Sequence, residues 1–155
     1  MGRLAGIARH DRPRGPVEEV TQVRVSIAEG VEGNCRGKPV NGKQPARQVS
    51  ILEAESWQAA MGELARAGIE SLPWSVRRAN LLVEGVTLPR EPGRVIAIGE
   101  SLRIEVTMEC DPCNRMEEVQ PGLMAALAPD WRGGVLGRVL TDGEIAVGDE
   151  VRIEE

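Results

Sequence analysis

GGVLGRVLTDGEIAVGDEVRI, Gly133–Ile153, is the stretch that decides the fold class of this chain. Val135, Gly137 and Val139 alternate with Leu136, Arg138 and Leu140, the period of two that a half-buried strand requires. Asp142-Gly143 is a hairpin dipeptide, and Gly148-Asp149 is a second turn signal between the pairs Ile145/Val147 and Val151/Ile153. The spacing predicts a meander with two tight turns.

Working outward, Ser101–Met116 reads SLRIEVTMECDPCNRM. Leu102, Ile104 and Val106 face one way and Arg103, Glu105 and Thr107 the other, so this too is a strand; the alternation stops at Met108. Cys113 follows just past the strand end, on a turn stiffened by Pro112. A thiol carried on a strand-end loop suits chemistry better than core filling. Cys110-x-x-Cys113 also admits a redox dithiol or half a zinc site. The dithiol motif usually sits in a βαβ fold, and zinc would need ligands that only Cys35 and His10 remain to supply.

Further strands are expected over Gly2 to Ile7, Val17 to Ala28, Arg47 to Leu52 and Leu81 to Val86, with Val95 and Ile98 leading into the Ser101 strand. A helix is expected from Ser56, as N-cap, to Ala67, with Trp57, Met61 and Leu64 as its buried stripe and Gly68 ending it. Pro121 fits the first position of a second short helix that Pro129 halts. Trp74 has no such periodicity and admits a cleft rim or simple packing, with packing the better reading for a single tryptophan. Short strands with a few inserted helices point to a β-rich α+β domain, a small mixed β-barrel with two or three short helices, and not a βαβ fold.

Composition narrows the function. The 155 residues make one domain, 1–155, with no apolar run long enough to cross a membrane and no signal-peptide pattern, so a soluble, cytoplasmic protein is expected. Three cysteines favour reduced thiols over a disulfide framework. With no Phe or Tyr, the core must be built from aliphatic side chains and Met. A formal charge of −5 argues against nucleic acid as a partner. Seventeen of the nineteen basic residues are Arg, which suits forked recognition of phosphate or carboxylate, although a coding bias gives the same preference. The glycine-containing loop Gly30–Pro39 carries Arg36 and Lys38 and admits either an anion cradle or a plain surface loop. Arg77-Arg78-Ala79-Asn80 admits anion binding or a solvated charge pair.

Taken together, GVEGN at 30–34, RQVSILEAESW at 47–57, RRANLLVEG at 77–85, DPCNRM at 111–116 and GRVLTDGEIAVGDEV at 137–151 resemble the MOSC domain, the molybdenum-cofactor sulfurase C-terminal family. The resemblance runs from about Arg3 to Ile153. It implies a mixed β-barrel holding the molybdenum cofactor (molybdopterin), with Cys113 supplying a thiolate to molybdenum as both metal ligand and catalytic residue. It places Arg78 and Asn80 at the pterin and its phosphate, with Arg47, Ser56 and Arg36 as further cofactor-binding candidates. Where the family often has an Asp and a His near the glycine loop, this chain has Asn34 and Gly37. The implied activity is a molybdenum-dependent oxidoreductase reducing N-hydroxylated or other N–O compounds, with electrons from a separate reductase. The alternative is a non-catalytic molybdenum-cofactor or persulfide-sulfur carrier. The pyridoxal-phosphate domain of the larger relatives has no room here, so no pyridoxal phosphate is expected.

Overall fold

In a computed structural model, which describes residues 2–154, seven strands close a mixed β-barrel. They are β1 (Gly2–Arg9), β5 (Val49–Glu53), β6 (Leu81–Glu84), β7 (Val95–Ile98), β8 (Leu102–Glu109), β9 (Val135–Thr141) and β11 (Glu150–Glu154). Around the barrel the order is β11-β7-β8-β9-β5-β6-β1, and pairing of Gly2 with Val151 and Arg3 with Glu150 closes the ring. β2 (Glu18–Val20) extends β1 outward. A second, three-stranded sheet joins β4 (Gly30–Val31), β3 (Gln22–Ser26) and β10 (Gly143–Ala146). It adds Val23, Val25, Val31 and Ile145 to the buried cluster that fills the barrel, beside Leu4, Ile51, Leu81, Ile96, Ile104 and Val139. That interior is aliphatic, as the composition requires.

Three α-helices, α1 (Ala54–Arg66), α2 (Asn114–Val119) and α3 (Leu123–Leu127), pack outside the barrel. Leu52 on β5 and Leu82 on β6 point outward and meet Trp57, Ala60, Met61 and Leu64 of α1 and Leu123 and Leu127 of α3 in a second core. Trp74 packs against this layer and not on a cleft rim: a Cβ placed on Gly6 would stand 2.8 Å from its ring.

Several sequence expectations are corrected. β9, β10 and β11 are not a meander, because β10 pairs with β3 and neither neighbour in the chain. The Asp142 carboxylate accepts hydrogen bonds from the Ile27 N–H at 2.7 Å and from Arg24 at 3.3 Å, so the supposed hairpin residue ties the chain to the second sheet. Gly143 passes so close to β8 that a Cβ would stand 2.7 Å from the Leu102 nitrogen. Its glycine serves a close approach, not a two-residue turn. The Val17–Ala28 segment divides into two strands, and β8 runs on through Met108 to Glu109 past an irregularity between Val106 and Met108.

The barrel is mixed, as expected, because β5 and β6 are parallel with α1 between them in sequence, a single βαβ unit among otherwise antiparallel pairs of the described residues. Ser56 is not the N-cap of α1. The helix begins at Ala54 behind extended Glu53, and the Ser56 hydroxyl donates to Glu53 Oε2 at 3.2 Å. Pro121 lies outside α3, which starts after Gly122; the Gly122 and Met124 N–H groups donate instead to the Glu117 carboxylate, at 3.0 and 3.3 Å.

One side chain holds the long loop after β4 to the barrel. Gln48 is 1% exposed; its Nε2 donates to the carbonyls of Ile27 at 2.8 Å and Gly37 at 2.9 Å, and its Oε1 accepts from the Val139 N–H at 2.9 Å. Truncation leaves those buried backbone groups unpaired. Gln48→Ala should therefore cost about 3 kcal/mol in chemical denaturation. Amides of residues 30–43 should also lose hydrogen-exchange protection beyond that global loss.

Candidate functional site

A single row of paired residues crosses five strands of the barrel: Ile7 on β1 opposite Leu81 on β6, Leu81 opposite Ile51 on β5, Ile51 opposite Val135 on β9, and Val135 opposite Glu109 on β8. The chain segments just beyond this row therefore emerge at one rim. They carry His10 after β1, Arg47 and Ser50 at the start of β5, Arg78 and Asn80 before β6, and Cys110 to Cys113 after β8. Segments 70 residues apart in sequence meet there because the register leaves them no other place.

Between them lies a cleft of about 410 Å³, with Cys113, Arg47, Arg78, Asn80 and Arg36 all on its wall. Ser56 is not part of it; it sits in the first turn of α1, bonded to Glu53. Arg77, read from the sequence with Arg78 as a possible anion contact, and His10, read only as a possible zinc ligand, also line the cleft, and so do Arg14 and Arg115, which the sequence did not single out. Arg115 carried a readable signal: a cation in the first turn of α2 opposes the helix dipole and so asks for another reason to be there.

The cysteine loop is held by the fold. The Cys110 N–H donates to the Gly134 carbonyl at 2.9 Å. The Arg77 guanidinium, 8% exposed, donates to the Cys110 carbonyl at 2.8 Å and to the Gly133 carbonyl at 3.0 Å. It also reaches Cys110 Sγ at 3.2 Å. Arg77 is thus a strut, and Cys110 is the partly buried thiol that it braces. Cys113 is exposed, in extended conformation directly before α2. Both sulfurs are free. Among the described residues, no group of three or more His, Cys, Asp or Glu side chains is placed to hold a metal, so the zinc reading finds no further ligands.

Asn80 shapes the floor. Its Oδ1 accepts from the Ser50 N–H at 3.1 Å and hydroxyl at 3.2 Å, and its Nδ2 donates to the Ala8 carbonyl at 3.2 Å. The side chain is 4% exposed and joins β5, β6 and β1, so its polar atoms serve the fold first. The glycine loop reaches the same rim through Asn34, whose Oδ1 accepts from the His10 N–H at 3.0 Å while its Nδ2 donates to the Arg36 carbonyl at 3.3 Å. Asn34 uses both a donor and an acceptor here, which an aspartate could not do.

The electrostatics of the cleft are one-sided. Among the described residues, nine arginines pair with a carboxylate, and none of those nine lines the cleft. Arg14, Arg36, Arg47, Arg77, Arg78 and Arg115 all line it, and among the described residues none has a carboxylate partner. Asp111 is the one acidic residue on the wall. Two buried guanidinium nitrogens, Arg78 Nη2 and Arg115 Nε, have no hydrogen-bond partner among the described residues. Burial, and then the neighbouring Arg115 guanidinium, hold Arg78 below the usual arginine range. Burial also lowers the His10 pKa from 6.5, reinforced by Arg78, Arg36 and Arg115 and opposed by Asp11. On the cysteine loop, burial and then the adjacent Asp111 carboxylate raise the pKa of Glu109. Unsatisfied buried donors and clustered cations are what an anion site presents before its anion arrives.

A closed seven-strand mixed barrel with helices on one side and a basic, thiol-bearing cleft at its rim defines the class of protein. The chain belongs to the MOSC domain family, whose sequence model matches residues 38–152. That family is associated with the molybdenum cofactor in general. No individual curated protein sequence matches the chain. Crystal structures share the fold: the YuaD protein from Bacillus subtilis superposes with a TM-score of 0.75 at 18% identity, over 99% of this chain and 96% of that one. YiiM from Geobacillus stearothermophilus gives 0.71 at 17%, over 100% and 76%, and YiiM from Escherichia coli 0.67 at 16%, over 99% and 70%.

The chain has one histidine, so its imidazole is a reporter that needs no assignment. In phosphate-free buffer it should titrate below 6.5, because protonation adds a cation to a cationic cleft. An anion answering Arg78, Arg36 and Arg115 removes that penalty, so saturating phosphate should raise the midpoint. Proton NMR of the His10 ring with and without phosphate checks both, and an unchanged midpoint would show that the anion binds elsewhere.

Proposed function

We propose that this cleft holds the molybdenum cofactor, with the Cys113 thiolate as the protein's ligand to the metal and Arg78, Arg115 and Arg36 holding the phosphate of the pterin. The observation that supports the reading is the segregation of arginines: among the described residues, every one on the cleft wall is without a carboxylate, and two present unpartnered buried N–H groups. A phosphate monoester offers three strong acceptor oxygens and close to two negative charges, the chemistry those guanidiniums lack. A soft thiolate is a suitable ligand for the metal of a dithiolene cofactor. Among the sequence candidates, Ser56 is set aside because it lies off the cleft, and Asn80 is a wall residue whose side chain is already engaged.

When bound, the cofactor would supply two-electron oxo transfer, and the substrate class we propose is N-hydroxylated and other N–O compounds, with electrons from a separate reductase. The residues of the chain do the placing. Arg77 fixes the cysteine loop through the Cys110 and Gly133 carbonyls, Asn80 and Ser50 fix the floor, and the cationic wall orients the anionic end of the ligand. His10, with its proton affinity lowered, enters as a neutral group able to donate or accept.

One observation favours a second reading, a sulfur carrier: Cys113 is exposed, as a persulfide handed to a partner needs to be. Protein made in a molybdenum-replete host should carry about one molybdenum per chain if the soft-ligand reading holds. Cys113→Ser should lose it and Cys110→Ser should keep most of it. Equal loss in both variants favours the dithiol. Molybdenum without turnover of an N-oxide or hydroxylamine, using an artificial electron donor, favours a cofactor carrier. A persulfide on Cys113 by intact mass, with no molybdenum, favours sulfur transfer.

A further inference from the structure

The cysteine loop has a cavity on each side. Cys110, Asp111 and Cys113 line the cationic cleft of about 410 Å³, while Asp111 and Pro112 line a second cavity of about 440 Å³. The far wall of the second cavity is helical, with Glu117 on α2 and Met124, Ala125 and Ala128 on and just after α3. Asp111 belongs to both walls and Pro112 directly precedes Cys113, so the segment that carries the thiol is the partition between the two spaces.

The second cavity is the chemical reverse of the first. Pro112, Met124, Ala125 and Ala128 make it apolar, its two charged residues are both acidic, and among the described residues no cation lines it. Glu117 is committed to the Gly122 and Met124 N–H groups, which fixes the joint between the two helices. Asp111 is exposed and, among the described residues, has no cation partner. Met124 brings a flexible thioether that adapts to differently shaped apolar groups. One drug-sized ligand occupies about 300–1,000 Å³, so a cofactor in the cleft leaves the body of a substrate to lie outside it.

We infer that the cavity between the cysteine loop and α3 binds the apolar body of the substrate, an aryl or alkyl nitrogen base that is neutral or cationic. An anionic body would meet two carboxylates there and would be drawn to the arginines next door. That the ligand is a substrate rests on the cofactor reading above; that the cavity takes such a ligand does not.

Benzylamine, benzyl alcohol and benzoate present one ring with a positive, a neutral and a negative group. Titrated into nitrogen-15-labelled chain from a molybdenum-free culture at constant ionic strength, benzylamine should move the Met124, Ala125 and Ala128 amides saturably in NMR spectra. Its dissociation constant should be on the order of a millimolar. Benzoate should bind about tenfold more weakly, with benzyl alcohol between them. Asp111→Asn should bring the amine and the alcohol to equal affinity. Ala125→Leu/Ala128→Leu occupies the space from two exposed positions and should weaken benzylamine about tenfold. Matching circular dichroism and melting curves establish that the variants are folded. No saturable shift at those amides, benzoate binding there as tightly as benzylamine, or an amine affinity unmoved in the leucine variant overturns the inference.

Because this readout needs no metal, the two claims fail separately. Benzylamine bound, with no molybdenum in protein from a replete host, sinks the cofactor reading and leaves the cavity standing; molybdenum without benzylamine binding does the reverse. In loaded protein, the leucine variant should raise the KM for N-benzylhydroxylamine and leave that for hydroxylamine, which has no apolar body, unchanged. An equal effect on both, or none on either, overturns the assignment of the cavity to the substrate.

Discussion

The register row Ile7–Leu81–Ile51–Val135–Glu109 is the constraint on which the rest depends. Register in a barrel is enforced by burial, since a slip of one residue would turn the aliphatic interior out and the polar face in. Ile7, Leu81, Ile51 and Val135 are each 0–2% exposed, so that penalty applies at each of those four positions. Glu109, the fifth, is where β8 leaves the buried zone, and the cysteine loop begins one residue later. The β5–α1–β6 crossover makes this rim unusual. Its parallel pair brings two strand starts, at Ser50 and Asn80, side by side, and the Asn80 side chain occupies the resulting junction with bonds to both neighbouring strands.

Placing cations there has a cost that the fold meets by leaving the rim open. A fully buried unpaired guanidinium would be prohibitive; here Arg14, Arg36 and Arg47 are exposed, Arg78 and Arg115 are half-buried, and the buried Arg77 is satisfied by carbonyls. The chain is acidic as a whole, yet among the described residues its carboxylates engage nine of the eleven arginines outside the cleft and loop amides such as those of Gly122, Met124 and Leu88. The segregation makes the cleft positive within a negative molecule. Such a field favours small anions over polyanions, because the surrounding surface repels an extended nucleic acid backbone.

The strands and their inward faces were legible because alternation is a local signal: Leu102, Ile104 and Val106 declare their own side. Which strands pair was not, since Asp142-Gly143 has the sequence of a hairpin and the geometry of a crossing between sheets. Only the Asp142 bonds to Ile27 and Arg24, more than 100 residues away, decide it. The helix starts failed for a related reason. Glu53 and Glu117 bind backbone amides from other segments, and those longer-range bonds displaced the caps that Ser56 and Pro121 suggested. Within the site, Cys113, Arg47, Arg78 and Arg36 could be named because they sit in short motifs. Arg14 could not, since its place on the cleft wall follows from the path of a loop with a left-handed residue that no neighbouring residue announces.

Arg77 and Arg78 show how little of a role resides in residue type. Both are arginines, adjacent, in the same turn before β6. Arg77 ends a short 3-10 helix (Trp74–Arg77) with its guanidinium buried against the carbonyls of Gly133 and Cys110. At Arg78 the backbone reverses into the left-handed region at φ 65, and that guanidinium faces the cleft with a donor unfilled. One flipped residue thus divides a pair of identical charges into a strut for the cysteine loop and a cation on the cleft wall. The αL conformation costs a non-glycine residue about 1 kcal/mol or more, so the arrangement persists only because neighbours over-determine it. Those neighbours are the Arg77 anchor on one side and the Asn80–Ser50 junction on the other. The cysteine loop and the cationic wall are therefore fixed to the same short segment, and a change that loosens either anchor should disturb both.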